Sequence, residues 1–205
     1  TTTFQKGWKT YLPGQVDATV SMTGKYDATA STALGGQLGT DSGILTYCPG
    51  GAAAIGDRAR LVSATGTTYS ESSPVGDIVT FGWDVQSQTV VGLGWVQHAF
   101  TEDTNTTTGS SYDGAAATTT GWTAHLHVSL VDGGSWVIQI EDSADNSSWA
   151  SVTGGAFTAA TGATSQRLSS ASGATLRRYT RCTATRTGGS AGQGVTYALA
   201  IARQV

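Results

Sequence analysis

The sequence has 205 residues, 28 of them glycine, with 12% charged residues, a net charge of −3 and a pI near 5.4. That length buries a core in one large all-β domain or two smaller ones, and six Trp and seven Tyr exclude a disordered chain. The acidic balance excludes a protein that grips phosphates through clustered Lys and Arg. No apolar run approaches the roughly 18 residues of a membrane helix, and no basic and apolar leader opens the chain, so neither a membrane span nor secretion by signal peptide is expected. Protein surfaces usually carry about 25–35% charged residues. A value this low implies a surface rich in Thr and Ser or, the preferred reading, one covered by further copies of the chain.

In chain order, residues 1–14 read as a short arm that spaces Phe4, Trp8 and Tyr11 by three and four residues, either as one helical turn or extended. From 16 to 28 the apolar residues Val16, Ala18, Val20 and Met22 alternate with Asp17, Thr19, Ser21 and Thr23, which predicts a strand with Gly24 as a candidate bulge. Residues 31–43 fit a helical turn or a loop. Residues 44–51 (ILTYCPGG) read as a short strand stopped by Pro49-Gly50-Gly51.

The stretch from Asp57 to Phe100 predicts two long strands folded back at residues 72–77, followed by a third. In the returning strand Val79, Phe81, Trp83 and Val85 alternate with Ile78, Thr80, Gly82, Asp84 and Gln86. Period two gives one face built for a core and an opposite face that is small and polar. Pro74 and Gly76 supply the turn chemistry. No apolar period survives from Thr101 to Gly121, which places a domain boundary near 101–106 and divides the chain into residues 1–104 and 105–205.

The second half has its own strands. Ala124, Leu126, Val128 and Leu130 alternate with Thr123, His125, His127 and Ser129. Trp136, Ile138 and Ile140 follow the Asp132-Gly133-Gly134 turn, and strands over 176–186 and 195–203 close the series. Such spacing without helices predicts an Ig-like or jelly-roll-like β-sandwich of roughly a hundred residues. Residues 1–104 hold five basic and nine acidic residues, a balance of −4, against +1 for residues 105–205. Cys48 and Cys182 fall in different halves and are expected to be free thiols.

Signals for chemistry are few. His125 and His127 form an H-x-H on one strand face, but no third ligand is placed by sequence, and the plain expectation is ordinary surface. No G-x-S-x-G elbow, phosphate-cradling glycine loop or paired-carboxylate arrangement is present, so neither an enzyme nor a cofactor is expected. Arg177, Arg178 and Arg181 are expected to pair with loop acids or a neighbouring subunit rather than with DNA.

Residues 13–28 (PGQVDATVSMTGKYDA), LTYCPGG and RARLVSATGTTYSESSPVGDIVTFGWDVQ together resemble the major tail (tail tube) proteins of long-tailed bacteriophages. The stretches 122–152 and 167–189 resemble the β-sandwich modules appended to such virion proteins. The resemblance implies an all-β fold, a tail-tube domain over 1–104 whose long strands join between six subunits into an inner barrel, and an outer sandwich over 105–205. It implies stacked hexameric rings, contact with other tail proteins, an acidic lumen that double-stranded DNA crosses without sticking, and a place in the virion tail after assembly in the bacterial cytoplasm. The family's packing helix is not evident, and residues 31–42 are its only candidate. Polar-face positions give the lumen-facing candidates Asp77, Asp84, Gln86, Thr19 and Thr23. A capsid decoration or surface fibre protein is the alternative. A carbohydrate-binding module, with Trp149, Trp136 and Tyr179 as a stacking platform, is a further one, against which Trp136 and Trp149 read more simply as core anchors.

Overall fold

The computed structural model describes residues 18–36, 38–39 and 43–204, so the aromatic arm and the start of the first expected strand, Val16 and Asp17, lie outside the described residues. The architecture is β throughout, apart from one short helix. The elements are β1 (Thr19–Lys25), α1 (Ala28–Gly35), β2 (Gly43–Tyr47), β3 (Arg58–Ser72), β4 (Thr80–Ser87), β5 (Gly92–Asp103), β6 (Thr107–Thr108) and β7 (Tyr112–Asp113). The remainder are β8 (Trp122–Val131), β9 (Ser135–Ser143), β10 (Trp149–Ala156), β11 (Thr164–Ser169), β12 (Tyr179–Thr187) and β13 (Val195–Arg203). No helix among the described residues is long and apolar enough to cross a membrane.

Two antiparallel sheets form. The larger runs β1-β4-β3-β5-β13-β8-β11 with β2 branching from β3, and the smaller runs β10-β9-β12-β6 with β7 also on β12. The long hairpin folds back as its alternation and Pro74-Gly76 turn require. Ser72 pairs with Thr80 and Ala64 with Ser87, and after a short break Gly92 to Trp95 continue along the same strand opposite Leu61 to Arg58. Strand β3 is therefore 15 residues long, well beyond the usual five or six.

The main core lies between the sheets. Trp122, Ala124, Leu126 and Val128 of β8 and Val195, Tyr197, Leu199 and Ile201 of β13 face Trp136, Ile138 and Ile140 of β9 and Cys182 and Ala184 of β12. These are the inward sets that period two selects. A second, smaller core sits on the opposite side of β13, where Ala200 and Ala202 pack on Ala59, Leu61 and Val96. A third holds Val62, Ala64, Trp83 and Val85 with Val20, Met22 and Leu34 beneath α1.

Several expectations change at this level. The first strand stops at Lys25, and Ala28, expected within it, opens α1 instead, so the helix lies over 28–35. Gly24 is not a bulge, since its register with Phe81 is unbroken; a Cβ there would meet the Phe81 ring at 2.7 Å. Strands β10 and β11 carry no strong alternation and were not expected. The sheet also runs straight across residue 104. Strand β13 is hydrogen-bonded to β5 from the first segment on one side and to β8 from the second on the other. Both Cys48 and Cys182 are free thiols, the first half-buried and the second buried. Burial pushes the Cys182 thiol up to about 12, far from the thiolate form.

Candidate functional site

Strands β1, β4 and the distal half of β3 form a ribbon with sharply different faces. On one face the cross-strand rungs are Thr19–Gln86–Thr65, Ser21–Asp84–Thr68, Thr23–Gly82–Ser70 and Lys25–Thr80–Ser72. On the other they are Val20–Val85–Gly66, Met22–Trp83–Tyr69 and Gly24–Phe81–Glu71. The pleat alone makes this division, because successive side chains point to opposite faces. A bulge at Thr67 keeps the alternation in phase beyond Gly66, and the Thr67 hydroxyl donates to the Asp84 carbonyl at 3.1 Å.

The apolar face is covered by α1. Leu34 packs into the third core, and Ser31 donates to the Glu71 carboxylate at 2.9 Å while the Tyr69 hydroxyl donates to the same oxygen at 2.8 Å. That pair of bonds ties the helix to the ribbon and explains an acid on the apolar side. Sequence reasoning missed it, since the signal lies in a side chain 40 positions away in the chain.

The polar face lies open. Thr19, Thr23 and Gln86 are exposed and Asp84 is half-buried, so four of the five lumen candidates share one surface. Asp77 does not join them. It sits in the β3–β4 turn, where its carboxylate accepts the Ile78 amide at 2.7 Å, beside the fully exposed Val75. Acidic charge is not concentrated on this face either. Asp84 is offset by Lys25, while Glu71 faces α1, Asp57 caps the Ala54 amide, and Glu102 and Asp103 lie at the end of β5. The surface is one of hydroxyls and glycine rather than of carboxylates.

Both edges of the ribbon are unpaired among the described residues. Strand β1 pairs only with β4, and the side of β3 away from β4 is taken by β2 only as far as Ala64 and by a bridge from Leu38 to Gly66. Exposed strand edges of this length template pairing with another chain.

The remaining candidates fall elsewhere. His125 is not a surface residue, and His127 is half-buried. Strand β2 folds over β8, and the Thr46 hydroxyl lies 3.1 Å from His125 Nδ1 and 2.9 Å from His127 Nε2. His125 is wholly buried, and its Nε2 has no hydrogen-bond partner among the described residues. No group of three His, Cys, Asp or Glu that could hold a metal occurs among the described residues.

Trp136 is fully buried in the main core and is removed from any stacking platform. Trp149 is no core anchor. Trp149 and Tyr179 flank Ser143 on adjacent strands of the smaller sheet, half-buried, and each carries a guanidinium: Arg181 lies 4.2 Å from the Trp149 ring centre and Arg178 4.9 Å from that of Tyr179. The three arginines each meet an acid, Arg177 with Asp142, Arg178 with Asp113 and Arg181 with Glu141.

No family model matches the chain, and no curated protein or solved structure is detectably similar to it.

Proposed function

We propose that the protein is a structural, non-enzymatic virion component, a subunit of a hexameric stacked-ring tail tube through which phage DNA passes. The observation that carries this reading is the β1-β4-β3 ribbon: a polar, hydroxyl-rich face on strands whose two edges are left unpaired among the described residues. A ribbon of this kind gains most when identical ribbons pair edge to edge around an axis, because closure removes every free edge. The apolar face, held by α1, then points away from the axis. The hydroxyl face lines the channel, with Thr19, Thr23, Asp84 and Gln86 toward the lumen and Asp77 at its rim.

Such a lining suits passage of DNA without adhesion. Phosphate retention requires clustered Lys and Arg, and the described rungs of this face carry Lys25 alone, four residues along β1 from Ser21, the partner of Asp84. The sandwich of residues 122–203 lies outside, and three of its arginines, Arg177, Arg178 and Arg181, are engaged by acids. The 12% charge content agrees with a subunit largely covered by its neighbours.

Sedimentation velocity over a wide concentration range tests the proposal. Discrete ring-sized species that grow into longer polymers are expected. A monomer that persists at the highest concentrations, with the hairpin ordered alone, would contradict it.

A further inference from the structure

At the end of the larger sheet, strand β11 places Arg167 opposite His125 and Ser169 opposite Thr123. The Arg167 guanidinium has no acceptor among the described residues, and its Nε is buried without a partner. Every other arginine of the second half that neighbours the core is engaged by a carboxylate, a carbonyl or both. Arg167 borders a cavity of about 380 Å³ between the β4–β5 loop and strands β8, β11 and β13, within the range of small-molecule pockets.

The wall chemistry of that cavity is uneven. No Asp or Glu borders it. On one side Thr123, Ser169 and Gln204 converge, but their mutual hydrogen bonds are long: 3.4 Å between the two hydroxyls, and 3.5 and 3.4 Å from the Gln204 amide to each. Bonds at that length are weak, leaving donors available to a better acceptor. From the β4–β5 loop Val90 and Val91 present hydrocarbon, while Ala202, cross-strand from Thr123, is itself buried. Nearby His125 is held neutral by burial and supplies no competing charge.

We infer that this cavity is a binding site for a small organic carboxylate, with the anion on Arg167 and the adjoining hydroxyl and amide donors, and its apolar part against Val90 and Val91. A guanidinium presents two parallel donors that match a carboxylate. Arg203 also borders the cavity, but its guanidinium is taken by the carbonyls of Gly114, Arg177 and Arg178, which leaves Arg167 as the donor for a monoanion. The hydrocarbon wall favours an organic anion over a strongly hydrated inorganic one. This site lies away from the β1-β4-β3 face and does not depend on the tail-tube reading.

Binding of benzoate to the full chain, followed by amide chemical shifts, is the direct test, with benzyl alcohol and inorganic phosphate as comparators. Benzoate is expected to saturate and to shift the amides of Thr123, Arg167, Ser169 and Gln204. Arg167→Gln is expected to weaken it by about tenfold or more, as loss of a charge-assisted pair implies. Arg167→Lys, which keeps the charge without the fork, should fall between. Benzyl alcohol or phosphate binding as tightly as benzoate would overturn the inference, as would unchanged affinity in Arg167→Gln. Should that variant not fold, wild-type shifts confined to residues outside the cavity, or no saturation with benzoate, overturn it equally.

Discussion

Among single residues, His125 carries a strong electrostatic constraint that bears on stability near neutral pH. Burial first, then the neighbouring His127 and Arg167, push its imidazole from 6.5 down to about 3. The native state resists the proton that the unfolded chain accepts. The contribution of this residue to stability is therefore intact above about pH 6.5 and is lost as pH falls from there toward 3, by up to about 1.4 kcal/mol per pH unit. Urea unfolding between pH 7.5 and 4.5 is expected to show that decline in the wild type and a flatter one in His125→Gln; parallel curves would contradict the assignment. The comparison stays above the range of Asp113, whose bond from Arg178 pulls its carboxyl down to about 2 and whose own effect begins only below the usual carboxylate value. The burial of His125 was not legible in the sequence. Its neighbours on that strand face are polar, and what covers it comes from distant segments, among them Thr46, 79 positions away. The faces of Phe81, Trp83 and Val85, by contrast, follow from local alternation alone, because the pleat fixes them regardless of what packs on top.

At the scale of elements, the seam between β5 and β13 joins the two halves of the sequence. Gly94 makes it possible: a Cβ at that position would overlap the Ile201 carbonyl across the seam, and one at Gly92 would meet the Ala202 and Leu61 side chains at 2.9 and 3.2 Å. The stacked rings of His98 and Tyr197, 3.9 Å apart, and the bond from Tyr197 to Asp103 close the far end. Gly94→Ala is expected to cost about 1–3 kcal/mol or more, since backbone rather than a flexible side chain blocks it. Thermal unfolding should fall by several degrees in a single transition that involves both halves. A loss confined to one half, or none, would show that the seam is not shared. The strands of the seam were legible one by one, but their partnership was not. The polar text of 101–121 reads as a linker, yet β6 and β7 within it pair with β12, and Tyr112 stacks on Trp95 at 4.9 Å. Pairings between segments so distant leave no periodic trace. Likewise α1 was only half visible, because its eight residues are mostly Ala, Thr and Gly and show no clear apolar stripe.

For the whole molecule, the distribution of polarity matters more than net charge. The acidic balance of residues 1–104 is spread over turns, the helix contact and the seam, while the open ribbon face carries hydroxyls, glycine, Asp84, Gln86 and Lys25. A surface of this kind neither attracts nor strongly repels DNA, so in the proposed tube transit without adhesion would rest on the scarcity of cations rather than on an acidic wall. Six such ribbons paired edge to edge would make a continuous barrel, with the sandwich of residues 122–203 projecting outward and the apolar hairpin tip at Val75 and Ile78 offered along the axis to the next ring. Electron microscopy of the assembled protein, with rotational averaging of end-on views, tests this arrangement most directly. The account predicts stacked six-fold rings whose pore is lined by β1, β3 and β4, with Thr19, Thr23 and Asp84 toward the channel. Rings of another symmetry, or six-fold rings with the ribbon on the outside, would contradict it.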